Sequence, residues 1–366
     1  MTAANWTDTD RQAMSRALDL ARRGLYTTDP NPRVGCVLLQ GGVSVGEGWH
    51  ERAGGPHAEA AALAAAGSAA RGATAYVTLE PCNHYGRTPP CSLALIEAGV
   101  ARVVYAVDDP NPEVAGAGAA RLRGHGIAVE SGLFSAEAES LNAGYFRRRR
   151  TGRPFVRVKL AASLDGRTAL ANGESRWITS KTARTDAQHY RARSSVVLTG
   201  IGTVLSDDPA MNVRIDESRR QPLRAVLDTS MRTPPEARIV NRQGGVLVLA
   251  GRENAARREA LERKGVEVSL VPMTDGQPDL GAVLDLLGAR AANELWVEAG
   301  AILAGAFVRQ RLFDELVIYL APTLLGSDAR PLAQLPPLAA LEERLRLRFT
   351  ECVAVGDDLR ITAVPA

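Results

Sequence analysis

In the first 130 residues, stretches with the helical spacing of apolar residues alternate with short apolar stretches typical of strands. Apolar residues recur at helical spacing over residues 8–24, and residues 34–39 form an apolar run typical of a strand. A Gly-Gly pair at 41–42 predicts a hairpin turn into a second strand. Further helices are predicted at 57–66, 92–98 and 116–125, and further strands at 43–48, 73–79, 103–107 and 127–130. Strands that alternate with crossover helices predict a layered α/β domain.

A second α/β series begins near residue 155. Strands are predicted at 155–161, 195–199, 224–227, 246–250, 266–271, 294–298, 315–320 and within 346–364, and helices at 180–192, 255–264, 280–287 and 300–309. Between the two series lie Arg147, Arg148, Arg149 and Arg150, followed by Gly and Pro. A like-charged run of this kind is typical of a solvated linker, and an RNA- or phosphate-binding patch is the alternative. We therefore predict two domains, at residues 1–150 and 151–366.

Composition is consistent with this division. The chain has 366 residues, of which 45% are hydrophobic and 23% charged, as expected for a globular protein with two cores. A net charge of +3 is too small to predict nucleic-acid binding, although small anionic substrates remain possible. No apolar run approaches the roughly 20 residues of a membrane span, and the N-terminus lacks the apolar core of a signal peptide.

The four cysteines do not suggest a disulfide framework, so we expect a cytoplasmic location. Cys36 and Cys352 lie in strand-like segments and are expected to be buried as small hydrophobic side chains. Cys82 and Cys91 belong to a different pattern, which indicates a catalytic site.

That pattern begins with His57-Ala58-Glu59 and continues with Pro81-Cys82 and, eight residues further on, Cys91. Catalytic zinc takes three protein ligands and leaves the fourth position for water, and His57, Cys82 and Cys91 supply that number. Because His57 opens a helix, Glu59 lies in its first turn. There it can take a proton from the activated water and return it to a leaving amine. The arrangement resembles the zinc-deaminase signature, except that the two cysteines are further apart.

Alternatives remain open at this point. A structural zinc site would need a fourth ligand, for which His84 is the only nearby candidate. His84 and Arg87 lie in the loop between the cysteines and could be solvated, or could contact an anionic substrate. Asn31, His50 and Asn111 could likewise be a turn residue, a packed histidine and a loop residue.

The full motif is longer than a zinc signature. It comprises NPRVGCV at 31–37, HAE at 57–59 and EPCNHYGRTPPC at 80–91. With this motif the chain resembles the deaminase half of the family of bifunctional riboflavin-biosynthesis deaminase/reductases. The resemblance implies a three-layer, cytidine-deaminase-like fold with one Zn²⁺. It also implies a pyrimidine and ribose-phosphate pocket lined by Asn31, His50, His84, Arg87, Asp109 and Asn111.

The second half carries four polar, glycine-bearing segments after predicted strands. They are VKLAASLDG at 158–166, GESRWITS at 173–180, GIGTVLSDDP at 200–209 and VEAGAILAGA at 297–306. The last predicts a strand, a turn of small residues and a helix N-terminus, which suits a pyrophosphate. No G-x-G-x-x-G follows the first strand, so a Rossmann domain is not supported. Together the segments resemble the reductase half of the same family, whose fold is similar to that of dihydrofolate reductase.

This resemblance covers roughly residues 8–365 and implies NADPH as the second cofactor. The implied NADPH contacts are Ala161, Trp177, Thr203, Asp207, Thr229, Gly300, Ala301, Ile302, Leu303, Ala304, Gly305 and Ala306. The implied contacts to the reductase substrate are Lys159, Ser175, Arg191, Met211, Arg214 and Glu298. Arg191 and Arg214 suit a ribose 5-phosphate, because guanidinium groups match phosphate geometry; ordinary surface charge is the alternative.

The sequence hypothesis is therefore an enzyme of two consecutive steps. The first is zinc-dependent hydrolytic deamination of 2,5-diamino-6-(5-phosphoribosylamino)pyrimidin-4(3H)-one. The second is NADPH-dependent reduction of the ribosyl group of 5-amino-6-(5-phosphoribosylamino)uracil to ribityl. The resemblance also implies a homo-oligomer, dimer or tetramer, that acts on small phosphoribosyl pyrimidines and on neither nucleic acid nor membrane.

Two rival hypotheses make different predictions. A deaminase of nucleic acid, anchored by the arginine run, would bind RNA with an affinity that falls steeply with salt. A non-enzymatic zinc module with a degenerate nucleotide sensor would be indifferent to Glu59→Gln.

Overall fold

The computed structural model describes residues 6–85, 89–111, 115–218 and 220–366. The chain divides into two compact units, Met1–Thr151 and Gly152–Ala366. Within the described residues, every helix is too short or too polar to cross a bilayer.

The first unit is built on one five-stranded sheet. Its strands are β1 (Gly35–Gln40), β2 (Val43–Trp49), β3 (Thr74–Val77), β4 (Arg102–Tyr105) and β5 (Ala128–Ser131). The spatial order is β2-β1-β3-β4-β5, with β1 antiparallel to both neighbours and β3, β4 and β5 parallel. The helices are α1 (Asp8–Arg22), α2 (Ala58–Ala66), α3 (Cys91–Glu97), α4 (Ala117–Gly124), α5 (Ser135–Leu141) and α6 (Ala143–Thr151), with a 3-10 turn at Gly67–Ala70.

Helices cover both faces of this sheet, which gives the predicted three layers. On one face, α1 packs Met14, Ala17 and Leu18 against Val37 and Val104. On the other face, α2, α3 and α4 bury Ala62, Leu95 and Leu122 against alternate residues of the same strands, which include Cys36, Leu38, Ala75, Val77 and Val103. Because side chains alternate across a strand, β1 can serve both cores.

The arginine run is not a linker. It lies in the C-terminal half of α6, so the prediction of a solvated linker was wrong here. Tyr145 and Phe146 are buried and anchor the helix to Leu79. The guanidinium of Arg149 lies over the Tyr145 ring and that of Arg150 over the Phe146 ring, both one helical turn away. Apolar anchors at that spacing outweigh the like-charge repulsion that suggested a linker.

The second unit contains a nine-stranded sheet. The strands described in this unit are β6 (Phe155–Ser163), β7 (Arg167–Ala169), β8 (Val196–Gly200), β9 (Leu223–Leu227), β10 (Val246–Ala250), β11 (Glu267–Leu270), β12 (Met273–Thr274), β13 (Gln277–Pro278), β14 (Glu294–Glu298), β15 (Glu315–Ala321), β16 (Arg330–Pro331), β17 (Leu347–Val355) and β18 (Asp358–Pro365). Strands β12 and β13, and likewise β7 and β16, form separate two-stranded sheets. The helices are α7 (Lys181–Arg193), α8 (Ile201–Asp207), α9 (Ala255–Glu262), α10 (Leu280–Ala289) and α11 (Ala301–Arg309), with a 3-10 turn at Leu341–Glu343.

The large sheet has the order β11-β10-β9-β8-β14-β6-β15-β18-β17. The seven strands from β11 to β15 pair in parallel, and β18 and β17 complete one edge in antiparallel fashion. Helices α10 and α11 cover one face, where Leu284 and Phe307 are buried, and α7 and α9 cover the other, where Ala187 and Leu261 are buried. The carboxyl ends of the parallel strands therefore share one edge, where open α/β sheets bind ligands.

Most predicted elements are confirmed within one to three residues at each end. One prediction about a cysteine is wrong: Cys352 is exposed, whereas Cys36 is buried as expected. Cys352 lies on β17, the edge strand, whose residues are almost all exposed. The sequence of β17, LRFTECVAV, mixes polar and apolar residues, so a strand-like pattern alone did not show that Cys352 would be left uncovered at the edge of the sheet.

Candidate functional site

His57, Cys82 and Cys91 converge at the ends of three different elements. His57 is the N-cap residue of α2, Cys82 follows β3, and Cys91 opens α3. The Nδ1 atom of His57 lies 3.3 Å from the Cys91 sulfur and 3.5 Å from the Cys82 sulfur. The three potential ligand atoms lie within 4.8 Å of one another, and among the described residues no other cluster of metal-ligating side chains is as compact. Two sulfurs and one imidazole nitrogen fit Zn²⁺.

Glu59 lies two residues into α2, on the buried side of the helix. Its carboxyl is 3% exposed and contacts the Cys91 thiol. Burial, together with the charge of Cys82, raises the pKa of Glu59 to about 7. Hydrogen bonding from Cys91 in turn lowers the pKa of Cys82 to about 4, which favours the thiolate that a metal requires.

Close packing brings α2 to this position. At Gly48 of β2, a Cβ atom would lie 2.5 Å from the carbonyl oxygen of Ala58, the residue between His57 and Glu59. Only glycine permits that approach. The close contact between β2 and α2 therefore fixes the position of His57 and Glu59 relative to the sheet.

Asn31 and His50 meet beside the candidate metal ligand His57. The Asn31 amide donates to Nε2 of His50 at 3.0 Å, and Nδ1 of His50 donates to the Pro56 carbonyl at 2.8 Å. These two bonds are compatible only with the neutral tautomer protonated at Nδ1, and burial lowers the pKa of His50 in the same direction. The His50 ring lies edge-on to that of His57, with centroids 5.5 Å apart. Two predicted pocket residues are thus brought to the metal site.

Glu80 holds the chain that carries Cys82, a role that the sequence reading did not assign. Its buried carboxylate accepts hydrogen bonds from the backbone N–H groups of Gly116, Gly118 and Ala119 at the start of α4. A carboxylate at a helix N-terminus satisfies unpaired N–H groups and complements the helix dipole. A Cβ atom at Gly118 would lie 1.9 Å from the Pro81 carbonyl oxygen, so α4 packs directly on this segment.

Asp109 and Asn111 follow β4, the strand parallel to β3, and both are buried. The Asp109 carboxylate accepts from the Asn111 N–H at 2.9 Å and from the Tyr145 hydroxyl at 3.0 and 3.2 Å. The Asp109 N–H donates to Glu80 at 3.4 Å, which links the two strand ends. Burial raises the pKa of Asp109. Tyr145 was not predicted as a site residue, because it lies 36 residues from Asp109 in the chain.

The remaining two predicted pocket residues, His84 and Arg87, lie between Cys82 and Cys91 in the sequence. His84 is exposed. Arg87 lies outside the described residues. The preceding Asn83 is fixed, because its side-chain oxygen accepts from Ser92 at 2.8 Å and from Arg121 at 3.0 Å.

In the second unit, a buried ion pair occupies the carboxyl end of β14. Arg191 of α7 donates from Nε and Nη2 to the two carboxylate oxygens of Glu298, each at 2.6 Å. The Trp296 indole N–H also donates to Glu298 at 2.6 Å. Burial alone would raise the pKa of Glu298, but the Arg191 charge and its hydrogen bonds outweigh burial and lower it to about 2.

Three more of the predicted substrate residues surround this pair. Lys159 of β6 is the direct cross-strand neighbour of Glu298, and burial lowers its pKa. Met211 contacts Arg191 through its sulfur at 3.7 Å. Arg214 is exposed and donates to the Asn212 side chain at 3.0 Å, while burial of part of its side chain and the charge of Arg191 lower its pKa. Ser175 lies in the half-buried loop before α7.

The predicted NADPH residues follow the carboxyl ends of adjacent strands. Thr203 and Asp207 are in α8, directly after β8; Thr229 follows β9; and residues 300–306 form the N-cap and first turns of α11, after β14. Because the sheet order is β9-β8-β14-β6, these segments and Ala161 of β6 share one edge. The N-cap of α11 is Gly300, which has no side chain to accept a hydrogen bond from the first N–H groups of the helix.

Trp177 is an exposed aromatic residue near this edge. It is 68% exposed, and the guanidinium of Arg184 lies 4.1 Å from the centroid of its ring. Arg176 lies 5.8 Å from the same ring and pairs with Asp207 at 3.8 Å. Two predicted cofactor residues, Trp177 and Asp207, are therefore connected through Arg176.

Comparison with known proteins gives a separate match for each half of the chain. Residues 7–107 match the family model for the cytidine and deoxycytidylate deaminase zinc-binding region. Residues 154–361 match the model for the RibD C-terminal domain.

Full-length relatives match nearly the whole chain. It is 51% identical to the riboflavin biosynthesis protein RibD of Escherichia coli, over 98% of this chain and 100% of that protein. It is 48% identical to RibD of Haemophilus influenzae, over 96% of each chain. Among solved structures, Acinetobacter baumannii RibD superposes with a TM-score of 0.91 at 43% identity, covering 98% of this chain and 99% of that one. A bifunctional deaminase/reductase of Thermotoga maritima superposes with a TM-score of 0.86 at 31% identity and the same coverage.

Proposed function

The chain belongs to the RibD family, and from this premise we propose which of its residues carry the two reactions of that family. It is a riboflavin-biosynthesis enzyme with deaminase and reductase activities, and its cofactors are Zn²⁺ and NADPH. The observation that best supports the residue assignment is the convergence of His57, Cys82 and Cys91 beside the buried carboxyl of Glu59.

In the first reaction, an exocyclic amine on a pyrimidine ring is exchanged for oxygen from water, and ammonia leaves. Bound Zn²⁺ supplies the Lewis acid that activates the water. We assign the proton movements to Glu59, which accepts a proton from the attacking water and delivers it to the departing nitrogen. We assign binding of the pyrimidine ring to Asn31 and His50. Binding of the ribose phosphate is assigned to Asp109, Asn111, His84 and Arg87. Because the Nδ1–H tautomer of His50 is fixed by Pro56, Asn31 can offer its amide oxygen as an acceptor.

In the second reaction, C1′ of the ribosyl group is reduced, and bound NADPH would supply the hydride. We assign cofactor binding to the segments after β8, β9 and β14, together with Ala161 and Trp177. Substrate binding is assigned to Lys159, Ser175, Arg191, Met211, Arg214 and Glu298. Arg191 uses two of its N–H groups on Glu298 and one on the Asn212 carbonyl, so Arg214 is the more available of the two cations for the substrate phosphate.

Zinc content tests the ligand assignment. We expect the Cys82→Ser variant to retain much less than one zinc per chain after dialysis and to release no ammonia, because one of three protein ligands is weakened. Metal analysis and an ammonia assay measure both, and Cys352→Ser, an exposed cysteine in the second unit, is the control. Full zinc occupancy in Cys82→Ser would contradict the assignment.

We also propose that the chain forms a homo-oligomer through the edge of the large sheet in the second unit. Strand β17 is almost fully exposed, which leaves backbone groups open to pairing. Six exposed large apolar side chains lie on β17, on its neighbour β18 or in the segment that precedes β17 in the chain: Leu335, Leu338, Leu341, Leu347, Phe349 and Leu359. Such patches mark protein interfaces. A second copy suits this edge, because an antiparallel strand pair about a two-fold axis is self-complementary.

Charge placed on this edge is expected to separate the copies. Phe349→Glu should convert the oligomer to a smaller species at micromolar concentration, measured by light scattering after size exclusion. Leu324→Glu is the matched control, since Leu324 is 70% exposed and Phe349 67%, and Leu324 lies outside β17. An unchanged mass for Phe349→Glu, or a monomeric parent protein, would refute this interface.

We further propose that the protein acts in the reducing cytoplasm. A site that depends on two free thiolates is lost if they are oxidised, and all four cysteines are free.

A further inference from the structure

The loop at residues 173–180, which precedes α7, ends in a peptide bond that is held from both sides. This peptide joins Thr179 to Ser180, the N-cap residue of α7. Its carbonyl oxygen accepts a hydrogen bond from Nη1 of Arg184 at 2.6 Å. Its N–H donates to the Asp358 carboxylate at 2.7 Å. Both polar groups of one peptide are thus fixed by charged side chains, which form stronger hydrogen bonds than neutral partners do.

Arg184 connects this peptide to the exposed ring of Trp177. Its guanidinium carbon lies 4.1 Å from the ring centroid, a distance at which a cation is attracted to the face of an indole. One guanidinium therefore contacts both the Thr179 carbonyl and an aromatic ring that is 68% exposed. Burial and the charges of Arg191 and Arg184 lower the pKa of Lys159, so Arg184 lies near the residues assigned to the reductase substrate.

Asp358 reaches the same peptide from near the C-terminus of the chain. It opens β18, directly after the turn that joins β17 to β18, and is 2% exposed. Gly356 in that turn has a φ of +64°, and a Cβ atom there would lie 2.9 Å from Cβ of Thr182 in α7. The turn therefore packs directly on the first turn of α7. This contact brings the Asp358 carboxylate to the Ser180 N–H, 178 residues away in the sequence.

We propose that Arg184 and Asp358 are positioning residues for the reductase, which hold the 173–180 loop so that Trp177 is ordered before NADPH binds. This inference rests on the proposed assignment of Trp177 to the cofactor and adds the residues that fix its place. An exposed indole that rotates freely has to be ordered on binding, which costs affinity. Because a loop that is already ordered loses less, the two residues act on cofactor affinity and not on hydride transfer.

Direct titration with NADPH tests the role of Asp358. In Asp358→Ala the Ser180 N–H loses its acceptor, and the dissociation constant for NADPH, followed by the fluorescence of the cofactor, is expected to rise about tenfold. KM for NADPH rises in parallel, while kcat at saturating NADPH changes little. Asp358→Asn retains an oxygen that can accept from Ser180 and should recover most of the affinity. Asp357→Ala, which changes an exposed aspartate of the same turn, is the matched control and should bind NADPH as the parent does.

The Arg184→Met variant tests the other side of the peptide. Methionine keeps an apolar stem near Trp177 but removes the charge and the donor to Thr179, so the dissociation constant for NADPH should rise as in Asp358→Ala. Without NADPH, chymotrypsin should cleave after Trp177 faster than in the parent, because the loop is released. Lys181→Met, which changes an exposed cation in the first turn of α7, is the control for both measurements.

Parent-like NADPH affinity in both Asp358→Ala and Arg184→Met would overturn the inference. A fall in kcat with an unchanged dissociation constant would also overturn it, as would an equal loss of affinity in Asp357→Ala. Trp177→Ala separates this result from the assignment of the cofactor site. If Trp177→Ala binds NADPH as the parent does, the assignment of Trp177 is wrong and the inference falls with it. Weaker binding by Trp177→Ala alone leaves the assignment in place and overturns only the roles of Arg184 and Asp358.

Discussion

The Glu59→Gln variant is expected to release ammonia about 10²–10⁴-fold more slowly than the parent protein, the range by which a positioned proton-transfer group accelerates a reaction. Glutamine fills nearly the same space as glutamate, so the buried environment of residue 59 is preserved. It cannot take a proton from water or return one to the leaving nitrogen. Single-turnover measurement of ammonia on the ribotide is the direct readout.

Two controls separate this loss from damage to the site. Zinc content should remain that of the parent, because the carboxyl of Glu59 is outside the three-ligand set. Reduction of the deaminated ribotide by NADPH should also be unchanged, because the residues assigned to it lie in the second compact unit. Deamination by Glu59→Gln at the parent rate would contradict the assigned role, and would favour a site in which the metal alone suffices.

The second large effect concerns the buried pair in the reductase unit. Arg191→Leu is expected to destabilise that unit by about 3–5 kcal/mol, because it leaves the Glu298 carboxylate buried without its partner. Both side chains are 11% exposed, so solvent cannot replace the lost interaction. NADPH-dependent reduction should fall sharply while ammonia release persists. Urea unfolding followed by fluorescence, compared between parent and variant, measures the loss; Trp177 and Trp296 lie in this unit and Trp6 and Trp49 in the first, so only the transition of the second unit should shift.

A second substitution distinguishes an unpaired charge from a general packing defect. Adding Glu298→Gln to Arg191→Leu removes the buried charge and should recover part of the lost stability. A double variant no more stable than Arg191→Leu would contradict this explanation.

The same pair gives the parent protein a pH dependence with a definite sign. The pKa of Glu298 is about 2 in the fold, below its ordinary value of 4.5. The pair therefore contributes its full stability above pH 4.5 and loses it as the pH falls towards 2. In Arg191→Leu this contribution is absent, so the acid side of the stability profile should be flatter.

The zinc site was largely predictable from the sequence because its signals are local. His57 and Glu59 share one helical turn, and Pro81-Cys82 and Cys91 lie on one short segment. The residues that hold these groups in place were not predictable in the same way. Glu80 acts through backbone groups of α4 more than 30 residues away, and Arg191 meets Glu298 across 107 residues. Only the sheet order brings such partners together.

The prediction for the arginine run failed for a related reason. Charge density alone indicates a linker, but Tyr145 and Phe146 just before the run supply buried anchors one turn from Arg149 and Arg150. Cys352 was predicted to be buried and is exposed, because a strand-like pattern does not reveal whether the strand is central or at an edge. In both cases the missing information was which surface the side chain faces.

The most direct test of the two-reaction account is a coupled assay on 2,5-diamino-6-(5-phosphoribosylamino)pyrimidin-4(3H)-one with the zinc-loaded parent protein, with and without NADPH. Ammonia and the ribityl product are scored separately. The account predicts ammonia in both conditions and ribityl product only with NADPH. Ribityl product in the absence of NADPH, or no ammonia in either condition, would contradict it.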